Sequence, residues 1–215
     1  MTVSRRPVLP VGEPVPSAPR QARSIERRRR LLRAAQAVFA DRGFAGASVE
    51  EITSRAGVAV GAFYLYFASK RHLLIELMNE LLQRIESLEL APPEPPATRQ
   101  WLRRFLIAAL RTDRESRGTI RAWREAVAGD AALARMNRTV EKWTNGRVLG
   151  FLRGVRDRAD GRGTAQLEHL ARVVDAYLWM LLGRAEDTST VDFEDEIRVV
   201  SDMIYHYLVP DRRGG

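Results

Sequence analysis

Residues 48–70 read SVEEITSRAGVAVGAFYLYFASK, and this stretch decides the fold. Ser48 is a good helix N-cap, and Glu51 three residues later has the spacing of a capping box. Val49, Ile52 and Ala56 recur at helical spacing, which gives the segment one apolar face. Gly57 follows at once, where a left-handed glycine stops a helix. A second short segment, Val58 to Tyr66, begins immediately, and Ser69 is a natural N-cap for a helix starting at Lys70. Two short helices joined by a Gly-containing turn form a helix-turn-helix, whose second helix enters the major groove of DNA.

Working outward, Leu31, Leu32, Ala35, Val38 and Phe39 form the buried stripe of a helix over residues 24–42, which Gly43 ends. Phe44 and Ala47 lead from it into the helix-turn-helix. Downstream, Leu73, Leu74, Leu77, Met78, Leu81 and Leu82 mark a longer helix over about 69–89. Residues 91–97, APPEPPA, cannot continue a helix and read as a boundary. Five further helical segments are predicted over 98–114, 118–128, 130–158, 164–185 and 192–208, with Thr98 as N-cap of the first. Breaks fall at Gly129, at Gly161/Gly163 and over 187–190. No run of alternating β-branched residues reads as a strand. The predicted fold is all-α: residues 1–23 a disordered, Pro-rich basic arm, 24–70 a three-helix DNA-binding domain, 71–90 a linking helix, 98–209 a helical ligand-binding and dimerisation domain, and 210–215 a tail.

The upstream run RRRRLLRAAQAVFADRGFAGASVEEI and the run AGVAVGAFYLYFASKRHLL together closely resemble the DNA-binding segment of the tetracycline-repressor (TetR) family of bacterial regulators. The resemblance extends from Arg27 to Leu74, with Gly43, Gly57, Tyr64, Tyr66, Phe67 and Lys70 all in place. Two positions depart from it. Ala59 stands where the family usually has a Ser capping the recognition helix, and Ala62 where a Thr or Ser often touches a phosphate; both changes remove a hydroxyl, and Ala is a poor N-cap. By resemblance, Tyr64, Tyr66 and Lys70 are clamps on the DNA backbone, contacts that fix register without reading bases. Base reading falls to the exposed early face, Val58, Ala59, Val60, Gly61 and Ala62. These side chains can touch thymine methyls but cannot make bidentate contacts to purines. Arg55, or an arginine of the arm (Arg5, Arg6, Arg20, Arg23), is then the polar reader, and DNA shape carries a larger share.

All four Trp, residues 101, 123, 143 and 179, lie in the predicted second domain. Singly they read as core. As a group with interspersed polar residues they fit a ligand cavity between helices, and the 130–185 region resembles the ethionamide-regulator-like branch of the family. That resemblance implies an apolar tunnel lined by Trp101, Phe105, Trp123, Met136, Val140, Trp143, Leu178, Trp179 and Met203. Asp175 or Asn145 would be its polar anchor, and Arg147 would need a partner there. It also implies that the last two helices pair with a second copy.

Charge supports nucleic-acid binding. Residues 1–70 hold 12 Lys+Arg against 5 Asp+Glu, leaving 23 and 22 of the chain's 35 and 27 for the rest, so nearly all of the net +8 lies beside the motif. There is no Cys, and His72, His169 and His206 have no metal-ligand spacing, so thiolate chemistry and a His-based zinc site are not expected. No apolar run approaches a membrane span and no secretory h-region is present, which predicts a cytoplasmic protein that meets no membrane. The expected partners are a palindromic double-stranded DNA operator, a second copy of the chain and a small apolar or aromatic effector, with no cofactor. A non-specific architectural DNA binder would not need the second domain. An enzyme would need Glu125, Asp175 or His169 to converge, and nothing in the spacing brings them together.

Overall fold

The computed structural model describes residues 5–12, 22–88, 98–111, 116–158, 166–183 and 190–209. Among these residues there are nine helices and no strand: α1 (Ala22–Gly46), α2 (Val49–Ala56), α3 (Val60–Phe63), α4 (Lys70–Ser87), α5 (Arg99–Arg111), α6 (Arg117–Gly129), α7 (Ala131–Arg158), α8 (Leu167–Leu182) and α9 (Thr190–Leu208). The Pro-rich boundary at 91–97, the Gly161/Gly163 break, residues 187–189 and the 210–215 tail lie outside the described residues. The chain forms two units. One comprises residues 6–87 with 115–139, the other 88–114 with 140–215 and the first five residues.

In the first unit, the stripe predicted on α1 is buried as expected: Leu31, Ala35, Val38 and Phe39 are inaccessible to solvent. Phe63 and Phe67 face it with ring centroids 5.5 Å apart. Gly43, at φ 71° and ψ −173°, kinks α1 near its end, a conformation that favours glycine. The predicted continuous domain over 98–209 is interrupted: 88–114 does fall in the second unit, but 115–139 groups with the first and packs on α1 and α4. α6 lies directly on α1. Gly118 has so little room that an added Cβ would overlap the carbonyl of Gln36 and come within 2.9 Å of the Ala40 nitrogen. Arg121 donates to the Ala40 carbonyl. Helical periodicity marked the apolar face of α6 (Ile120, Trp123, Ala126), but it does not say which helix that face covers.

The N-terminal arm is a second correction. Residues 5–12 run along α4. Leu9 is buried, its N–H donates to Asn79 Oδ1 at 2.9 Å, and Asn79 Nδ2 donates to its carbonyl at 3.1 Å. Arg71 donates to the Val11 carbonyl at 3.3 Å, and Arg6 pairs with Glu86 at 2.9 Å, near the C-terminal end of α4. Arg6 is thereby committed to α4 rather than to a DNA groove. Arg23 stands exposed in the first turn of α1, and the rest of the arm, residues 1–4 and 13–21 with Arg20, lies outside the described residues.

The second unit is built on α5, α8, α9 and the later part of α7. Its core includes Leu102, Leu152, Val155, Ala171, Ile197 and Leu208. Thr98 caps α5 as predicted, accepting from the Trp101 N–H at 3.1 Å. No helix among the described residues is long and apolar enough to cross a membrane.

Gly118→Ala forces a methyl against backbone atoms on both sides of one α1 turn. It should lower the stability of the full chain by about 1–3 kcal/mol, read as a lower urea midpoint at an unchanged m-value. Asn79→Ala should release the strap, seen as accelerated hydrogen exchange at the Leu9 amide with α1 protection retained.

Candidate functional site

The helix-turn-helix forms through local chemistry that was legible in its caps. Ser48 is extended, and its hydroxyl accepts from the Glu51 N–H at 3.1 Å. The Glu51 carboxylate sits 3.6 Å from Arg42 Nε. Gly57 adopts φ 63° and ψ 44° and donates to the Ser54 carbonyl at 3.1 Å, while Val58 N–H reaches Thr53 O at 3.0 Å. This is the left-handed stop expected of a C′ glycine. Ala59 follows in extended conformation with no side-chain cap. α3 is consequently short: four regular residues rather than the predicted Val58–Tyr66. A further turn follows, in which Tyr66 and Phe67 both donate to Phe63 O at 2.9 and 3.0 Å.

This arrangement presents a small apolar face. Ala59, Val60, Gly61, Tyr64 and Leu65 are exposed, and Val58 and Ala62 are half-buried. An added Cβ at Gly61 would meet nothing within 4 Å. Tyr64 is 52% exposed, and its ring meets that of Phe63 edge-on with centroids 5.3 Å apart. Three other predicted contacts are engaged within the fold. Tyr66 is buried, and its hydroxyl lies 2.8 Å from Ser24 Oγ, tying α1 to the recognition segment. Arg55 pairs with Asp41 at 2.7 Å, joining α2 to α1 on an exposed surface.

Lys70 is engaged most fully. Its ammonium donates to the carbonyls of Phe44 and Ala47, both at 2.6 Å, and stands 4.6 Å from the Phe44 ring centroid. Burial draws its pKa below the ordinary lysine value, with the Glu125 carboxylate opposing. It satisfies orphan carbonyls at the end of α1 and in the turn that follows. From the other side, Glu125 of α6 accepts from the N–H groups of Phe44 at 2.6 Å and Ala45 at 3.0 Å. The Ala45 and Phe44 bonds hold the Glu125 carboxyl below its ordinary range, aided by Arg121 and Lys70. The corner entering the helix-turn-helix is thus gripped by a cation on its carbonyls and an anion on its amides.

The cations left at this surface are on α1. Arg28 is taken by Glu76 at 2.7 Å and Glu80 at 3.4 Å. Among the described residues, Arg29 and Arg30 are exposed and have no ion-pair partner, and Arg30 Nη1 lies beside the helix-turn-helix glycine, 3.8 Å from where a Gly57 Cβ would be. The four-arginine run signalled these positions, but only the fold separates Arg30 from Arg28.

The predicted tunnel residues divide between the units. Trp123 and Met136 belong to the first, where Trp123 Nε1 donates to Asn137 Oδ1 at 2.8 Å. In the second, Trp101 and Phe105 stack at 5.5 Å, and Phe105 on Phe151 at 4.8 Å, so they are core. Leu178 packs against the same core. Met203 is 67% exposed and lines no interior space. Val140, Trp143, Arg147, Asp175 and Trp179 remain on α7 and α8, outside that core. Thr144, which the sequence reading missed, links them: it donates to Asp175 Oδ2 at 3.0 Å and receives Trp179 Nε1 at 3.4 Å. Burial raises the Asp175 carboxyl to about 6; the Thr144 bond opposes this and the Glu141 charge adds to it. Arg147 lies over the Trp143 ring at 5.3 Å and donates to Leu88 O at 3.0 Å. Asn145 Nδ2 is buried without a hydrogen-bond partner. No group of His, Asp or Glu among the described residues has metal-binding geometry.

Residues 31–77 match the family described as bacterial regulatory proteins, tetR family. The HTH-type transcriptional repressor KstR of Mycobacterium tuberculosis is 31% identical over 160 residues, covering 73% of this chain and 70% of KstR. The HTH-type regulator YdgC of Bacillus subtilis is 41% identical over 68 residues, which span 32% of this chain and only 35% of YdgC. Among solved structures, a transcriptional regulator from Rhodococcus sp. Rha1 superposes with a TM-score of 0.62 at 24% identity, over 85% of this chain and 99% of its own. Salmonella enterica GusR gives 0.61 at 22%, over 85% and 95%.

Since the Tyr64 hydroxyl is the exposed polar group of the recognition face, Tyr64→Phe should weaken binding to every duplex by a similar factor in a fluorescence titration. A change in which duplex is preferred would contradict that role.

Proposed function

The chain belongs to the TetR family of bacterial transcriptional regulators, a DNA-binding family, and from that membership we propose that it acts as a repressor released from a palindromic operator by a small, largely apolar effector. The observation that carries the reading is the exposed recognition face of Ala59, Val60, Gly61, Tyr64 and Leu65, with the exposed Arg30 beside Gly57. Its apolar side chains touch methyl groups and sugar edges, Tyr64 and the α1 arginines meet phosphates, and groove shape supplies much of the sequence preference.

A palindrome requires two copies. Val199, Met203 and Tyr207 recur at four-residue intervals on α9 and are 51%, 67% and 45% exposed, and Val173 on α8 is 67% exposed. An uncovered apolar stripe of this kind is what a second copy would bury. Paired recognition helices would then enter major grooves about 34–36 Å apart or a small multiple of that. The effector is assigned to the Trp143–Asp175–Trp179 region of the second unit. It acts only if it binds more tightly to a state whose recognition helices no longer match the operator. The family contains no cue to catalysis, and the protein is expected to work in the cytoplasm.

Selection of DNA from a random pool tests the reading. It should enrich an inverted repeat bound at least about 10³-fold more tightly than random DNA; equal affinity for all duplexes would leave only a non-specific binder. Met203→Glu should give a monomer in sedimentation and abolish operator binding at nanomolar protein, with the helical content unchanged.

A further inference from the structure

The α7–α8 region of the second unit contains a buried carboxyl group that an apolar effector does not explain. Asp175 is only 7% exposed. Its partner is a neutral hydroxyl, Thr144 Oγ1 at 3.0 Å, which itself receives Trp179 Nε1 at 3.4 Å. A carboxylate removed from water is costly unless a cation compensates it. The chain has a cation at hand, since Arg147 lies one turn beyond Thr144 on α7. That guanidinium is instead directed to Leu88 O and the Trp143 ring. Among the described residues no cationic side chain pairs with Asp175. Val140, one turn before Thr144 on the same face of α7, is buried, Trp143 is buried next to Thr144 in sequence, and Trp179 is half-buried.

We infer that the effector carries a protonated amine, received by Asp175, on an apolar or aromatic body packed beside Trp179. The inference rests on the effector reading above and narrows it to a class. An ammonium would give Asp175 a charge-assisted hydrogen bond, about twice as strong as a neutral one. A neutral or anionic analogue of equal shape leaves the carboxylate unpaired, so the site discriminates by charge more than by size.

The test uses three probes of one skeleton, 4-phenylbutylamine, 4-phenylbutanol and 4-phenylbutyrate, titrated into the full chain. Tryptophan emission reads binding, and release of the selected operator reads coupling. The amine should bind at least tenfold more tightly than the alcohol, with the carboxylate weakest. Asp175→Asn should abolish the amine's advantage while keeping alcohol binding. The wild-type ranking stands as a test by itself if that variant does not fold. Equal binding of amine and alcohol, with operator release by both, overturns the Asp175 assignment and leaves the effector reading intact. An unchanged amine preference in Asp175→Asn also overturns it. Silence from all three probes overturns it and counts against the effector reading as well.

Discussion

The recognition segment is held in place by one corner, residues 44–47, gripped from opposite sides. Lys70 Nζ takes the carbonyls of Phe44 and Ala47, and the Glu125 carboxylate takes the N–H groups of Phe44 and Ala45. Four backbone groups that a helix end and a turn would otherwise leave to water are satisfied by two side chains of opposite charge. One comes from the first turn of α4 and the other from α6, so both flanking helices contribute to the aim of α2 and α3. Gly43 makes the grip possible. Its positive φ turns the chain, and an added Cβ would collide with Glu125.

The corner also explains why α6 belongs with the DNA-binding unit. Gly118 seats one turn of α6 flush on α1, Arg121 holds the Ala40 carbonyl, and Glu125 reaches the corner two turns beyond Gly118. At the junction of α6 and α7, Asp130 caps α7 through the Ala132 and Leu133 amides and pairs with Arg71 of α4 at 2.7 Å. The strap over residues 6–11 adds a further tie along α4. A change that moves α6 or tilts α4 must therefore act through the corner that orients the recognition helix. In the proposed mechanism, this is how a change of state would alter the fit to DNA.

Much of this was legible in the sequence, for a definite reason. Caps and stops such as Ser48, Gly57, Gly43 and Thr98 are decided within a few residues, so their chemistry can be read locally. The buried stripe of α1 and the four-helix start of the chain follow from periodicity alone. Lys70 was not legible. A lysine in the first turn of a helix reads as an anion contact, and nothing near it announces carbonyls 26 and 23 residues upstream. Arg55 and Tyr66 went the same way, claimed by Asp41 and Ser24 on α1. The arm failed for a different reason. Its composition cannot build a core, yet one leucine and two backbone hydrogen bonds to Asn79 suffice to dock it on an existing helix. The tunnel assignment grouped aromatics by type, whereas the fold sorts them: Trp101 to a core stack, Trp123 to the other unit, Trp143 and Trp179 to the α7–α8 region with Asp175.

We propose that Lys70 acts on DNA binding by orienting the corner rather than by touching a phosphate. Salt dependence separates the two roles, since each phosphate contact contributes about 0.9 to the slope of log K against log salt. Measuring operator affinity of wild type and Lys70→Met across a salt series decides it. An internal clamp predicts weaker binding, a lower melting temperature and an unchanged slope. A slope smaller by about 0.9 with an unchanged melting temperature would contradict the account and return Lys70 to the phosphate backbone.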